Sequence, residues 1–280
     1  MKKKIFFIAV TIHYSLFTIH SCSAQNIFDL PHTKSFADYL YQSGQYKLAA
    51  EECERWLFQQ PESDSAFLLL LKSYRKAGLY STAIEKTKLF FPYFEKMNNP
   101  VAKEYSILLL LSKNYDQADS FLNNQQQVTA SDRDYLLMNK NLMKKNWTSA
   151  EQIYLSNNNA ETRAFAPYSI VFKSYKDLPH RSAGLAMTMS AIIPGTGKIY
   201  SGDWKDALFS MLLIGASGVQ SYRGFEKNGT KSAYGWIFGG FTAGLYLGNI
   251  YGSFKSAKDF NHKHENELLK KATDLFSINL

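Results

Sequence analysis

Gly44-Gln45-Tyr46-Lys47-Leu48-Ala49 returns 34 residues later as Gly78-Leu79-Tyr80-Ser81-Thr82-Ala83. Weaker copies follow at Tyr115 with Ala118 and at Trp147 with Ala150, so an aromatic residue stands three positions before an alanine four times, with successive alanines 34, 35 and 32 residues apart. Self-similarity at such a period marks stacked supersecondary units, each too small to bury its own apolar face. Glycine permits the tight turn between two helices, and alanine lets those helices approach closely. The pattern predicts an all-α chain built from helical hairpins.

The flanking sequence agrees with that unit. An apolar helix is expected before each turn, over residues 36–41, 67–74, 105–111 and 135–143. A second follows it, as in Ala49, Cys53, Trp56 and Leu57, spaced for one helical face. Pro61 closes the first repeat, where a helix cannot continue. With Gly, aromatic residue, Ala and Pro in phase, residues 33–156 resemble the tetratricopeptide repeat family, in two good copies and two degenerate ones. Lys113 and Lys145 depart from the pattern by standing where the turn glycine is expected. The resemblance implies a curved scaffold whose concave side holds a peptide or partner protein. Tyr46, Tyr80, Tyr115 and Trp147 read as packing between helices. Residues 161–177, with Phe165, Tyr168, Val171 and Phe172, are expected to cap a solenoid spanning 33–177, because its last apolar face must be hidden.

Toward the N-terminus, Met1 to Lys4 is basic, residues 5–17 are apolar, and Cys22-Ser23-Ala24 is a small-residue cleavage site before Gln25. Residues 1–24 have the layout of a secretory signal peptide. A second reading makes Cys22 the acylated first residue of a lipoprotein, since Ile19-His20-Ser21-Cys22 loosely follows a lipobox. Either way the chain leaves the cytoplasm. With two cysteines in the chain no disulfide framework is implied, and Cys53 reads as a small buried helix residue.

Toward the C-terminus the composition changes. Residues 234–254 carry no formal charge and as a helix would reach about 31 Å, the thickness of a bilayer's hydrocarbon. Gly240, Gly244, Gly248 and Gly252 lie four apart, a ladder expected to pack a helix closely in lipid. The expected partner is residues 207–222, joined through a turn at 223–232 that carries Arg223, Lys227 and Lys231. These basic residues suggest a cytoplasmic turn, with both flanks and the repeats on the periplasmic side. The ladder also offers a seam for oligomers. Upstream, Pro194-Gly195-Thr196-Gly197-Lys198-Ile199-Tyr200-Ser201-Gly202-Asp203 is too broken by Pro and Gly to span, and reads as re-entrant or interfacial. This Pro-Gly-x-Gly-x-x-Tyr-x-Gly signature resembles that of small bacterial membrane domains of unknown function that place it before a helical hairpin. The resemblance covers residues 182–257 and implies membrane residence without any chemistry. Residues 258–280 read as a polar helical tail.

A net charge of +8 could suit nucleic acid, but the lysines are dispersed and no nucleic-acid motif is present, so lipid is the expected anionic surface. Gly195-Thr196-Gly197-Lys198 lacks the spacing and hydroxyl of a phosphate loop. His262 and His264 with Glu265 lack a third spaced metal ligand. No nucleophile, base and orienting group can be assembled, and no cofactor is implied. The sequence therefore reads as an envelope scaffold, inner membrane favoured, with a Gly-rich transmembrane hairpin and periplasmic repeats that bind a protein or peptide in assembly, export or secretion. Two rival readings are a membrane enzyme or transport component acting through the Pro-Gly-x-Gly segment, and a soluble helical interaction protein.

Overall fold

The computed structural model describes residues 28–90, 97–157 and 164–279. The proposed signal segment and Cys22 lie outside them. Every regular element among the described residues is helical, and the chain divides into two compact units, residues 1–129 and 130–280.

The first unit holds three helical hairpins: α1 (Leu30–Gln42) with α2 (Tyr46–Gln59), α3 (Asp64–Lys76) with α4 (Tyr80–Phe90), and α5 (Asn99–Leu111) with α6 (Tyr115–Asn124). The first helix of each hairpin starts at a side-chain cap. Asp29 Oδ1 accepts from the His32 amide at 2.9 Å, Ser63 Oγ from Ala66 at 3.3 Å and Asn98 Oδ1 from Val101 at 3.1 Å. Each ends in the same left-handed turn. After α1 the Gly44 amide donates to Tyr41 O and the Gln45 amide to Leu40 O, and the same pair of bonds recurs around Gly78 and Lys113. Across the hairpins, Glu54 of α2 accepts from Tyr74 Oη at 2.6 Å and from Lys86 Nζ at 2.7 Å. Arg75 of α3 and Glu104 of α5 form a buried ion pair.

The second unit begins with the fourth hairpin, α7 (Ala130–Met143) and α8 (Trp147–Ser156), turned at Lys145. It continues through α9 (Tyr168–Lys176), α10 (Ala183–Ile192), the single turn α11 (Thr196–Tyr200) and α12 (Trp204–Asn228), and ends in α13 (Ala233–Ile278). At 46 residues, α13 extends about 69 Å. Its first half pairs with α10, α11 and α12, and its second half packs on α7 and α9.

Three expectations need correction here. The expected polar tail is helical, but up to Ile278 it continues α13 instead of standing apart, and it buries Leu268, Ala272 and Phe276, with the Phe276 ring 5.9 Å from that of Tyr135. They therefore share the capping of the last hairpin with Phe165, Tyr168, Val171 and Phe172, all of them buried. The helix before the C-terminal turn runs 25 residues, to Asn228 and so into the segment 223–232 read as the turn, which is cut to the short 3-10 stretch Gly229–Lys231. Finally, among the described residues no helix is long and apolar enough to cross a membrane, so the structure does not support the transmembrane hairpin. Freedom from charge gave 234–254 its apparent span, but glycine, tyrosine, threonine, serine and asparagine dilute its mean apolarity.

Candidate interaction surfaces

The repeat residues fall on equivalent places. Gly44 and Gly78 adopt positive φ (79° and 73°), and Lys113 and Lys145 take the same left-handed conformation (61° and 58°) despite carrying side chains. The lysines thus mark genuine copies of the turn, at the strain an L-residue meets in that region. Ala49, Ala83, Ala118 and Ala150 are fully buried where paired helices touch. Tyr46, Tyr80 and Tyr115 are half-buried, whereas Trp147 is buried and stacks on Tyr175 at 4.9 Å. Cys53 is also buried, and burial pushes its thiol up to about 12, which removes the thiolate needed for reactivity. Between α4 and α6 two adjoining grooves, of about 290 and 580 Å³, share Lys88 and Gln117. Tyr105 and Phe121 lie in the wall of the smaller, and the larger is flanked by Glu85, Lys113 and Asp116.

The C-terminal helices bury a set of polar side chains beside Ala186, Ala207, Ile214 and Ala257, and expose a set of apolar ones. Their interior holds Ser190, Lys198, Ser217, Ser221, Asn249 and Ser253, all buried. Ser190 and Ser253 hydroxyls meet at 2.6 Å, Thr242 Oγ1 donates to Ser217 Oγ at 2.9 Å, and Ser221 Oγ donates to the Gly235 carbonyl at 2.9 Å. Both side-chain amide atoms of Asn249 are buried without a hydrogen-bond partner. The exterior presents Leu208, Phe209, Leu212, Val219, Trp236, Ile237, Phe241 and Leu247, each at least half exposed. Singly exposed apolar residues are ordinary, but these eight stand on the two helices of one hairpin around a polar seam.

The glycine ladder sits differently from its expected place. A Cβ at Gly240, Gly244 or Gly248 would meet nothing within 4 Å, so these three face outward and do not pack against α12. The hairpin closes instead over Gly224, Gly235 and Gly239, where a Cβ would strike the opposite helix at 2.7 to 3.0 Å. Only Gly252 of the ladder faces inward, clearing room for the Lys198 side chain, whose Cε lies 3.2 Å from the Cβ position. A four-residue step drifts around a helix of 3.6 residues per turn, whereas Thr242, Tyr246, Asn249, Ser253 and Ser256 alternate steps of four and three and stay on one face. That polar seam was visible in the sequence and the glycines concealed it.

The Pro-Gly segment forms an elbow. Pro194 follows α10, Gly195 turns the chain at φ +89°, and α11 lies so close to α10 that a Cβ on Gly197 would fall 1.8 Å from the Ala186 carbonyl. The Gly197 amide donates to Ser190 Oγ at 2.9 Å, Tyr200 Oη accepts from the Ser182 amide at 3.1 Å, and Gly202 makes the second positive-φ turn. Asp203 Oδ2 accepts from Ser256 Oγ at 3.2 Å, which sets the start of α12 level with Ser256 of α13. Lys198 Nζ donates to Ser210 Oγ at 2.9 Å and reaches Asp206 at 3.5 Å, so it serves the interior of the module.

Where α13 leaves these helices, its Glu265 accepts from Lys145 Nζ at 3.0 Å and Trp147 Nε1 at 3.1 Å. Burial alone would raise the Glu265 carboxyl, but these donors and the Lys145 charge hold it below the usual carboxylate value. His264 Nδ1 lies 2.8 Å from the Phe260 carbonyl, and His262 stands 4.0 Å from Glu265. Among the described residues no group of three or more His, Cys, Asp or Glu side chains could hold a metal ion. Comparison of the chain with protein-family models, with curated proteins and with solved structures finds no match to any of them.

Proposed function

We propose that this chain is a non-catalytic scaffold of a bacterial cell envelope, in which tetratricopeptide-like hairpins hold a protein or peptide and the C-terminal helices stand in lipid. The inverted polarity of α10, α12 and α13 carries the reading. Water penalises an apolar exterior, while lipid penalises the serines, Lys198 and Asn249 unless they face inward, as they do here.

The dimensions of the band support the same reading. Exposed Trp204 and Tyr222 lie at opposite ends of the apolar stretch of α12, 18 residues or about 27 Å apart, with leucine, phenylalanine and valine between them. Exposed Trp236 and Tyr251 bracket the band on α13. Tryptophan and tyrosine favour the two interfaces of a bilayer whose hydrocarbon is about 30 Å thick. Basic residues stand beyond both ends, Arg223, Lys227 and Lys231 at the hairpin tip and Lys255 and Lys258 at its base. Joined to an adaptor, such an anchor would raise the local concentration of a captured partner at the membrane.

The test is alkaline carbonate extraction of membranes followed by sedimentation of the purified full chain. Retention in the membrane pellet and a requirement for amphiphile are expected. A monodisperse full chain in plain buffer overturns the lipid-embedded reading.

A further inference from the structure

At the base of the apolar band a cavity of about 400 Å³ lies between the α9–α10 connection and α13, lined by Tyr175, Leu178, His180, Lys258, Asn261 and His262, with Glu265 at its far edge. From this cavity we infer a binding site for the phosphate of an anionic phospholipid headgroup, an inference that rests on the lipid-embedded reading above. The supporting features are the cavity's depth, its charge and its construction.

Along the first half of α13 the exposed apolar residues run as far as Tyr251, and Lys258 follows seven residues on, about 10 Å along the axis. The headgroup layer occupies roughly the 5–8 Å outside the hydrocarbon, and the Lys258 ammonium, which lies back over the Phe254 ring at 4.4 Å, one turn nearer the apolar band, reaches that level. An acyl chain attached to a headgroup there would run back along the exposed apolar face of α13.

The lining is rich in groups that donate to a phosphate. Lys258 and the imidazoles of His180 and His262 line the cavity, and all three side chains belong to exposed residues. Glu265, the one carboxylate in the lining, is already engaged by Lys145 and Trp147. Ionised donors make the stronger hydrogen bonds to phosphate oxygens.

The walls are fixed before any ligand arrives. Asn261 clamps the connection, accepting from the Arg181 amide at 2.8 Å and donating to the Arg181 carbonyl at 2.9 Å. The Arg181 guanidinium lies over the rings of Tyr200 and Phe260, at 4.9 and 5.3 Å, and Tyr175 is stacked on Trp147. A pocket held this way loses little freedom when a headgroup enters.

The experiment uses the full chain in a mild non-ionic detergent, titrated with short-chain phosphatidylglycerol, short-chain phosphatidylcholine and inorganic phosphate while binding is followed calorimetrically. Phosphatidylglycerol should bind more tightly than phosphatidylcholine, and the double variant Lys258→Gln/His262→Gln should weaken it by about tenfold or more, the effect of losing charge-assisted bonds. A control variant at the hairpin tip, Lys227→Gln/Lys231→Gln, should leave that affinity within about twofold. Equal weakening by the control, no effect of the pocket variant, or equal affinity for inorganic phosphate overturns the headgroup site. Flotation with pure phosphatidylcholine vesicles is scored separately: a chain that floats with them but shows no headgroup preference refutes the pocket alone, and one that floats with no vesicle refutes the lipid-embedded reading and the pocket with it.

Discussion

The hydroxyls of Ser190 and Ser253, 63 positions apart in the chain, meet at 2.6 Å inside the C-terminal helices, and Ser190 also accepts the amide of Gly197. One small polar side chain therefore ties α10, α11 and α13 together. Ser190→Ala should strip the Gly197 amide of its acceptor in a buried place and cost about 1–3 kcal/mol. Ser253→Ala leaves that amide bonded and should cost less. Thermal unfolding of the full chain in detergent, followed by circular dichroism, checks the order of the two.

Lys113→Gly should stabilise the third hairpin by about 1 kcal/mol, because the turn geometry at φ 61° suits glycine better than lysine. Lys145→Gly should gain less or nothing, since it also removes the donor to Glu265 at 3.0 Å. Chemical denaturation of the two variants side by side gives the comparison. If the two gains are equal, the Glu265 contact contributes nothing to stability.

The glycines should divide sharply on substitution. Gly197→Ala places a methyl group 1.8 Å from a backbone oxygen and should prevent the elbow from closing. Gly244→Ala meets open space and should be neutral or raise stability by up to about 1 kcal/mol through helix propensity. The yield of folded protein and its melting temperature separate the two cases.

Stability should decline in acid partly through Glu265. Its folded-state carboxyl lies below the ordinary value of 4.5, so the contribution is complete above that pH and disappears as the pH falls through the lower folded value. Glu265→Gln should flatten that part of the stability profile and lower stability at neutral pH, where the wild-type carboxylate is charged and paired. Unfolding midpoints measured between neutral and strongly acidic pH show whether it does.

The thiol of Cys53 should resist maleimide at mildly alkaline pH in the folded chain and react at once after denaturation, because burial keeps it protonated. Rapid labelling of the native chain would mean that α1, α2 and α3 open readily around it.

The hairpin repeats were legible because their signals are local. A turn residue, an aromatic and an alanine recur within six positions, and the structure places them on equivalent turns and contacts. Lys113 and Lys145 weakened the signal at two of those turns, which only the phase of the repeat located, since lysine carries no preference for the left-handed conformation it adopts there. The C-terminal helices were harder to read. Their glycines attract attention as a packing motif, yet Gly240, Gly244 and Gly248 point away from α12, and the packing face is set by a seven-residue alternation of threonine, tyrosine, asparagine and serine. The cavity by His180 and Lys258 could not be foreseen, because its walls are brought together by a connection and a helix about 80 residues apart in the chain.

Helix α13 contains neither glycine nor proline after Gly252, so its distal half runs without an interruption of the kind that kinks helices. From Ser256, level with the start of α12, to Phe276 against Tyr135 is 20 residues, or about 30 Å of strut. If the proposed lipid-embedded reading holds, this strut would act as a fixed-length gauge, carrying the fourth hairpin at one set height above the lipid and passing a twist or tilt at its foot to its summit.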